Sequence, residues 1–203
     1  MTDNSLIFLS KNGSEIEPCK KEAFRYMNCK ADYKDEELEK LYEECLTEYK
    51  KVASYKAVYR LADIVCNSDD TTDFGFCSIS NSALCKNMSG CRLSAVVAVT
   101  AGAGVDRLIM RYSKTSPAKA VITDCIASSA IEVWCDEVNG IISNIYETNP
   151  RFSPGYGGVS LDYQKDVLSF LDAERKMGIT LTDALLMKPV KSVTAFIGIK
   201  EKK

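Results

Sequence analysis

The chain reads as an α+β protein: a twisted, mostly antiparallel sheet packed with helices, one of them long and central. Three observations lead there. Between Ser116 and Tyr146 apolar residues return every turn, as Val121/Ile122, Cys125/Ile126, Ala130, Val133/Trp134, Val138, Ile141/Ile142 and Ile145, the period of a core helix. Ser94 to Ala101 is a near-continuous apolar run, as in a strand buried on both faces. Strand-like and helix-like segments succeed one another without the strict alternation a parallel sheet needs. The 203 residues suit one domain, residues 1–203, with a helical N-terminal part at roughly 15–56.

The elements follow in order. Residues 1–17 form a short extended segment that turns at Asn12-Gly13. A helical stretch opens at Pro18 and presents Phe24, Tyr26 and Met27. Residues 35–54 make a clearer helix: Leu38, Leu41, Tyr42, Cys45, Leu46, Tyr49 and Val52 recur at spacings of three and four, behind Asp35 as N-cap. Ala57–Val65 and Phe74–Ser80 read as strands around an Asn67-Ser68-Asp69-Asp70 turn. Ser82–Met88 is a short helix that Gly90 ends. The long helix starts at Ser116, a cap, followed by Pro117 at the first helical position. Its middle, Ala127-Ser128-Ser129-Ala130, is small enough to admit a close neighbour. A Pro- and Gly-rich loop follows, then a helix over Asp162–Met177 stopped by Gly178, and a last strand over Ser192–Ile199.

Composition removes several functions. There is no histidine, hence no Ser-His or Cys-His nucleophile pair and no His metal ligand or base. Twenty-six basic and twenty-eight acidic residues leave a net charge of −2, no field for nucleic acid or an anionic membrane. The nine cysteines include no C-x-x-C pair, which argues against a zinc ribbon, a redox motif or a cluster, Cys77, Cys85 and Cys91 included. No signal peptide and no apolar stretch near the ~20 residues of a spanning helix are seen, so a cytoplasmic protein with reduced thiols is expected.

Three features carry candidate chemistry. Gly102-Ala103-Gly104 after the apolar strand resembles the start of a nucleotide-binding turn, but it lacks the third glycine and the later acidic residue, so a plain strand-to-helix turn is expected. Arg151-Phe152-Ser153-Pro154-Gly155-Tyr156-Gly157-Gly158 is an irregular loop whose backbone must be held by packing or by a ligand. It offers a planar guanidinium suited to a carboxylate and a phenol with an apolar face. Glu132, on the long helix, shares a side with Cys125, Ser129 and Asp136. That side is either a solvated edge or a carboxylate aimed at a ligand.

The octet Arg151–Gly158, followed by Leu161, Gln164, Leu168 and Leu171, then Gly178-Ile179-Thr180-Leu181-Thr182, Met187-Lys188-Pro189 and Lys191-Ser192-Val193, resembles the reactivation domain of cobalamin-dependent methionine synthase. Ser94–Gly102 is similar to that family's apolar strand and turn, and Asp124–Glu132 to its central helix. Tyr26 and Leu38–Tyr59 fit its short stand-alone members.

The resemblance implies a site for S-adenosylmethionine formed by Glu132, Arg151, Ser153, Gly155 and Tyr156, with Arg151 on the ligand carboxylate and Glu132 near its ammonium. It implies no catalytic residue on this chain. The role would be repair: a methyl group from S-adenosylmethionine and one electron restore methylcobalamin from cob(II)alamin. Cobalamin would be reached only through a partner, a cobalamin-binding methionine synthase lacking its own reactivation domain. A flavodoxin-like or other low-potential donor would supply the electron. Two other readings stand beside it: a non-catalytic corrinoid-protein partner that no longer binds S-adenosylmethionine, and a self-sufficient methyltransferase.

Overall fold

The computed structural model describes residues 5–29 and 35–200. The first four residues of the expected extended segment lie outside this range. Its remainder is strand β1 (Ile7–Asn12), turned by a 3-10 turn at Gly13–Glu15 in which the Asn12 amide donates to Glu15 Oε2 at 2.7 Å. Helices α1 (Lys20–Tyr26) and α2 (Glu36–Val52) follow. Asp35 caps α2 as its sequence implies, accepting the Glu37 and Leu38 amides at 3.0 Å. Next come β2 (Ser54–Asp63), β3 (Val65–Cys66), β4 (Thr71–Asp73), β5 (Ser78–Ser80), α3 (Ser82–Met88) and β6 (Leu93–Thr100). Helices α4 (Ala103–Thr115) and α5 (Pro117–Ser143) lead to β7 (Glu147–Thr148). After the loop, a 3-10 turn at Leu161–Tyr163, α6 (Gln164–Phe170), α7 (Ala173–Met177), β8 (Thr180–Leu181), β9 (Met187–Lys188) and β10 (Ser192–Lys200) complete the described chain.

The main sheet has five strands in the order β1-β2-β6-β10-β7, and its pairings are antiparallel throughout. Both faces are covered, which explains the unbroken apolar run of β6. Ala95, Val97 and Val99 face a core with Tyr55, Trp134, Ile126 and Ile142, built largely from α2, α4 and α5. Val96 and Ala98 face a second core with Phe196, Phe74, Leu84 and Leu171. Alternation with a period of two sends neighbours to opposite cores. On the first side, the Trp134 indole donates to Lys56 O at 3.1 Å, and the Tyr49 and Tyr55 hydroxyls share a 2.6 Å hydrogen bond. At about 1.5 Å per residue, the 27-residue α5 is about 40 Å long and spans the sheet.

Three expectations change. Phe74–Ser80 is not one strand: Phe74–Cys77 is the connection between β4 and β5, where Asp73 Oδ1 accepts the Gly75 amide at 3.0 Å and the Ser78 hydroxyl at 3.1 Å. Asp162–Met177 is broken at Asp172, which has φ +50°; the break lets Leu171 and Ala173 bury fully while Arg60 Nη1 donates to the Phe170 carbonyl at 3.1 Å. Ser116 occupies the expected cap position of α5, yet its side chain makes no cap bond; its backbone closes α4 instead, through Ser116 N to Tyr112 O at 2.7 Å.

The small middle of α5 does admit a close neighbour. It is the chain's own N-terminal region: Ser129 Oγ donates to Cys19 O, next to α1, at 2.9 Å. The Gly102–Gly104 turn is likewise used for packing. A Cβ on Gly104 would lie 2.2 Å from the Val52 carbonyl oxygen, so the glycine is what lets α4 start against the end of α2. Among the described residues no helix is long and apolar enough to cross a membrane.

Candidate functional site

β10 creates the site by being longer than its outer neighbour. β7 pairs only with Ile199 and Lys200. Further back, a single antiparallel rung joins Phe152 to Phe196, with both amide-to-carbonyl bonds at 2.8 Å. Beyond it the edge of β10 stays open. Since amide and carbonyl of alternate residues point the same way, Thr194 turns the same backbone groups outward as Phe196 does. A cleft of about 400 Å³ lies along this edge, with Ser192, Val193 and Thr194 as floor, Glu132 on one side, and Arg151–Pro154, Tyr156, Gln164 and Met187 around it.

The Phe152 rung also aims Arg151. Phe152 packs into the second core, so the neighbouring side chain leaves on the α5 side. There Arg151 Nη2 meets Glu132 Oε2 at 2.5 Å and Asp136 Oδ1 at 3.3 Å. The two carboxylates lie one helical turn apart and share a face of α5. The other terminal nitrogen, Nη1, is buried and pairs with no oxygen or nitrogen, although the guanidinium also lies within reach of the Cys135 thiol. A guanidinium paired through one terminal nitrogen keeps unused donor capacity on the other. Beneath it lies Cys135; burial pushes this thiol up to about 12, against the opposing pull of the Arg151 charge.

The floor is fastened to α5 by Lys191, whose ammonium reaches Asp124 Oδ1 and Ser128 Oγ, both at 2.9 Å. The loop is fastened to itself. Gly155 N donates to Val159 O at 2.8 Å, Tyr156 N to Ser153 O at 3.1 Å, and Val159 N to Tyr156 O at 3.0 Å. Asn81 Nδ2 holds the Gly157 carbonyl at 2.9 Å.

Of the residues expected at the site, Glu132, Arg151, Ser153 and Tyr156 line the cleft together. Gly155 stands behind it. Its φ of +90° and the approach of Leu161 Cδ2, 3.0 Å from where a Cβ would be, account for the glycine without any ligand. Tyr156 is 74% exposed, with its ring free at the mouth. Gln164 and Met187 are brought in from distant parts of the chain, and Asp136 joins Glu132 on Arg151. Helical spacing already put Asp136 on that side of α5; nothing local in the sequence marks the other two as lining residues.

This sheet sandwiched between helices has the fold of a solved reactivation domain. The chain aligns over 98% of its length with a crystal structure of the MetH reactivation domain bound to AdoHcy, covering 79% of that chain at a TM-score of 0.71 and 13% identity. Residues 133–203 match the family model described as the vitamin B12 dependent methionine synthase activation domain. That stretch runs from just after Glu132 through the loop and the floor of the cleft. Both findings support the resemblance drawn from the sequence. No curated protein matches the chain.

Proposed function

We propose that this protein binds S-adenosylmethionine in the cleft between α5 and the 151–158 loop, and serves reductive methylation of cob(II)alamin held by a separate methionine synthase. The observation that carries the reading is the opposed pair Arg151 and Glu132 lining one cleft, with donor capacity left unused on the enclosed Arg151 Nη1. An α-amino acid brings a carboxylate and an ammonium close together, and this pair of side chains is complementary to both. Apolar surfaces of Phe152, Met187 and Val193 suit the rest of such a ligand. The AdoHcy named with the similar solved structure is the same ligand class.

In this reading the chain's own residues do no bond chemistry. Arg151 and Glu132 hold the amino-acid end, and the Phe152 rung fixes the loop. S-adenosylmethionine would supply the methyl group, leaving as S-adenosylhomocysteine, and a low-potential donor such as a flavodoxin would supply the one electron that reductive methylation of the partner's cob(II)alamin requires. Positioning is the protein's contribution.

Calorimetric titration with S-adenosylmethionine and S-adenosylhomocysteine tests binding. Mixing the protein with a cobalamin-bearing synthase that lacks its reactivation domain, plus a low-potential reductant, tests the role. Methylcobalamin should form only when all components are present. Association with the synthase without S-adenosylmethionine binding would instead establish the non-catalytic partner.

A further inference from the structure

Nine buried side-chain polar atoms among the described residues have no hydrogen-bond partner, and two of them belong to residues that line the cleft. Arg151 Nη1 is one. The other is Gln164 Oε1, on a residue only 5% exposed. An enclosed carbonyl oxygen with no donor is unfavourable in a folded protein unless something supplies the donor. Gln164 is also held in place: it opens α6, and Val167 and Leu168 on the same helix are buried in the second core. The carboxamide oxygen is therefore held, on a residue that lines the cleft, without a protein donor.

The chemistry of the two orphans differs. Arg151 is a cation and selects an anion. Gln164 is neutral, presenting an acceptor beside its own amide donors. Around the cleft, Phe152, Met187 and Val193 provide flat or adaptable apolar surface. A neutral acceptor at the wall of an apolar slot fits a planar heterocycle bearing an exocyclic amine. Adenine places such an amine next to a ring-nitrogen acceptor, the edge a glutamine carboxamide matches with two hydrogen bonds.

We infer that Gln164 reads the nucleobase, accepting a hydrogen bond from the adenine amine and thereby selecting adenosyl over other nucleosidyl ligands. This rests on the proposed S-adenosylmethionine site and adds to it a specificity-determining residue. Arg151 then holds the amino-acid end and Gln164 the base end, so the two contributions separate by ligand.

The test uses the full chain and four compounds: S-adenosylhomocysteine, its inosine counterpart with an oxygen in place of the amine, and the corresponding 5′-methylthio nucleosides, which lack the amino-acid end. The wild type should favour each adenine compound over its inosine counterpart by about ten- to a hundredfold. Gln164→Leu, close in volume, should abolish that preference, while Gln164→Glu, which keeps an acceptor, should retain part of it. Arg151→Ala should weaken S-adenosylhomocysteine yet leave the preference between the methylthio nucleosides intact. Circular dichroism and melting temperature establish that each variant is folded. If the wild type binds S-adenosylhomocysteine but Gln164→Leu leaves the adenine preference unchanged, the role of Gln164 is wrong and the site stands. An equal loss for adenine and inosine compounds overturns it too, since a general packing role or a ribose contact would produce that. If the wild type binds no adenosyl compound, the site itself is wrong.

Discussion

Replacing Arg151 with alanine tests the site most directly. In the free protein its guanidinium has two carboxylate neighbours, Glu132 with a side chain 48% exposed and Asp136 with one 76% exposed. Ion pairs this wet contribute about 0–1 kcal/mol each. The unpartnered Nη1, in contrast, is enclosed, and a carboxylate that reaches it forms a largely desolvated bond. Truncating one partner of such a bond costs about 2–5 kcal/mol. Taking about 1 kcal/mol for the combined competition from Glu132 and Asp136 leaves about 1–4 kcal/mol, or a loss of roughly 5- to 1000-fold in affinity for S-adenosylmethionine. Folding stability should fall by no more than about 2 kcal/mol, since two exposed pairs are lost and the Phe152 rung is backbone. Titration calorimetry reads the affinity and a thermal melt reads the stability. Arg151→Lys should recover part of the binding, because a lysine restores the charge without the fork. If both variants bind S-adenosylmethionine as the wild type does, the assignment of Arg151 to the ligand carboxylate is refuted.

Glu132→Gln should lower affinity for S-adenosylmethionine several-fold in the same titration while leaving the melting temperature nearly unchanged, because its carboxylate is half-exposed and serves the ligand ammonium; unaltered affinity would return this edge of α5 to a solvated face. Gly104→Ala should destabilise the fold by about 1–3 kcal/mol in a urea melt, since the new Cβ meets the Val52 carbonyl and the α2–α4 contact must open. Burial raises Tyr55 to about 12 and Tyr49 further in the same direction, so the unfolded chain loses these protons near the ordinary tyrosine value of about 10 while the native protein keeps them. Cys77 and Cys135, whose buried thiols are likewise pushed up to about 12, make stability begin to fall near the ordinary thiol value of about 8.5; the fall should steepen from about pH 10 toward pH 12, with phenolate absorbance rising together with unfolding.

Much of the fold is legible from local pattern. The 3.6 period of α2 and α5, the Asp35 cap, the Gly90 and Gly178 stops, and the apolar run of β6 each state their element through side-chain spacing or backbone preference. Those signals depend only on near neighbours. Where an element is decided by packing, spacing misleads: the Asp162–Met177 helix breaks because burying Leu171 and Ala173 against the sheet outweighs an unbroken helical ladder. The hairpin inside Phe74–Ser80 is set by Asp73, whose carboxylate turns the chain before the strand would otherwise continue.

The site divides in the same way. Unusual composition marks the loop, and helical spacing marks the Glu132–Asp136 face, so the sequence by itself determines which two segments carry the charges of the cleft. It does not bring them together. That depends on the length difference between β7 and β10 and on the Phe152–Phe196 rung, both of which come from pairing between distant strands. Gln164 shows the limit most sharply. In the sequence it is one polar residue at the head of a helical segment; in the tertiary structure it is an enclosed acceptor without a donor. Whether a polar atom is satisfied depends on every group that surrounds it, and those groups arrive from distant parts of the chain.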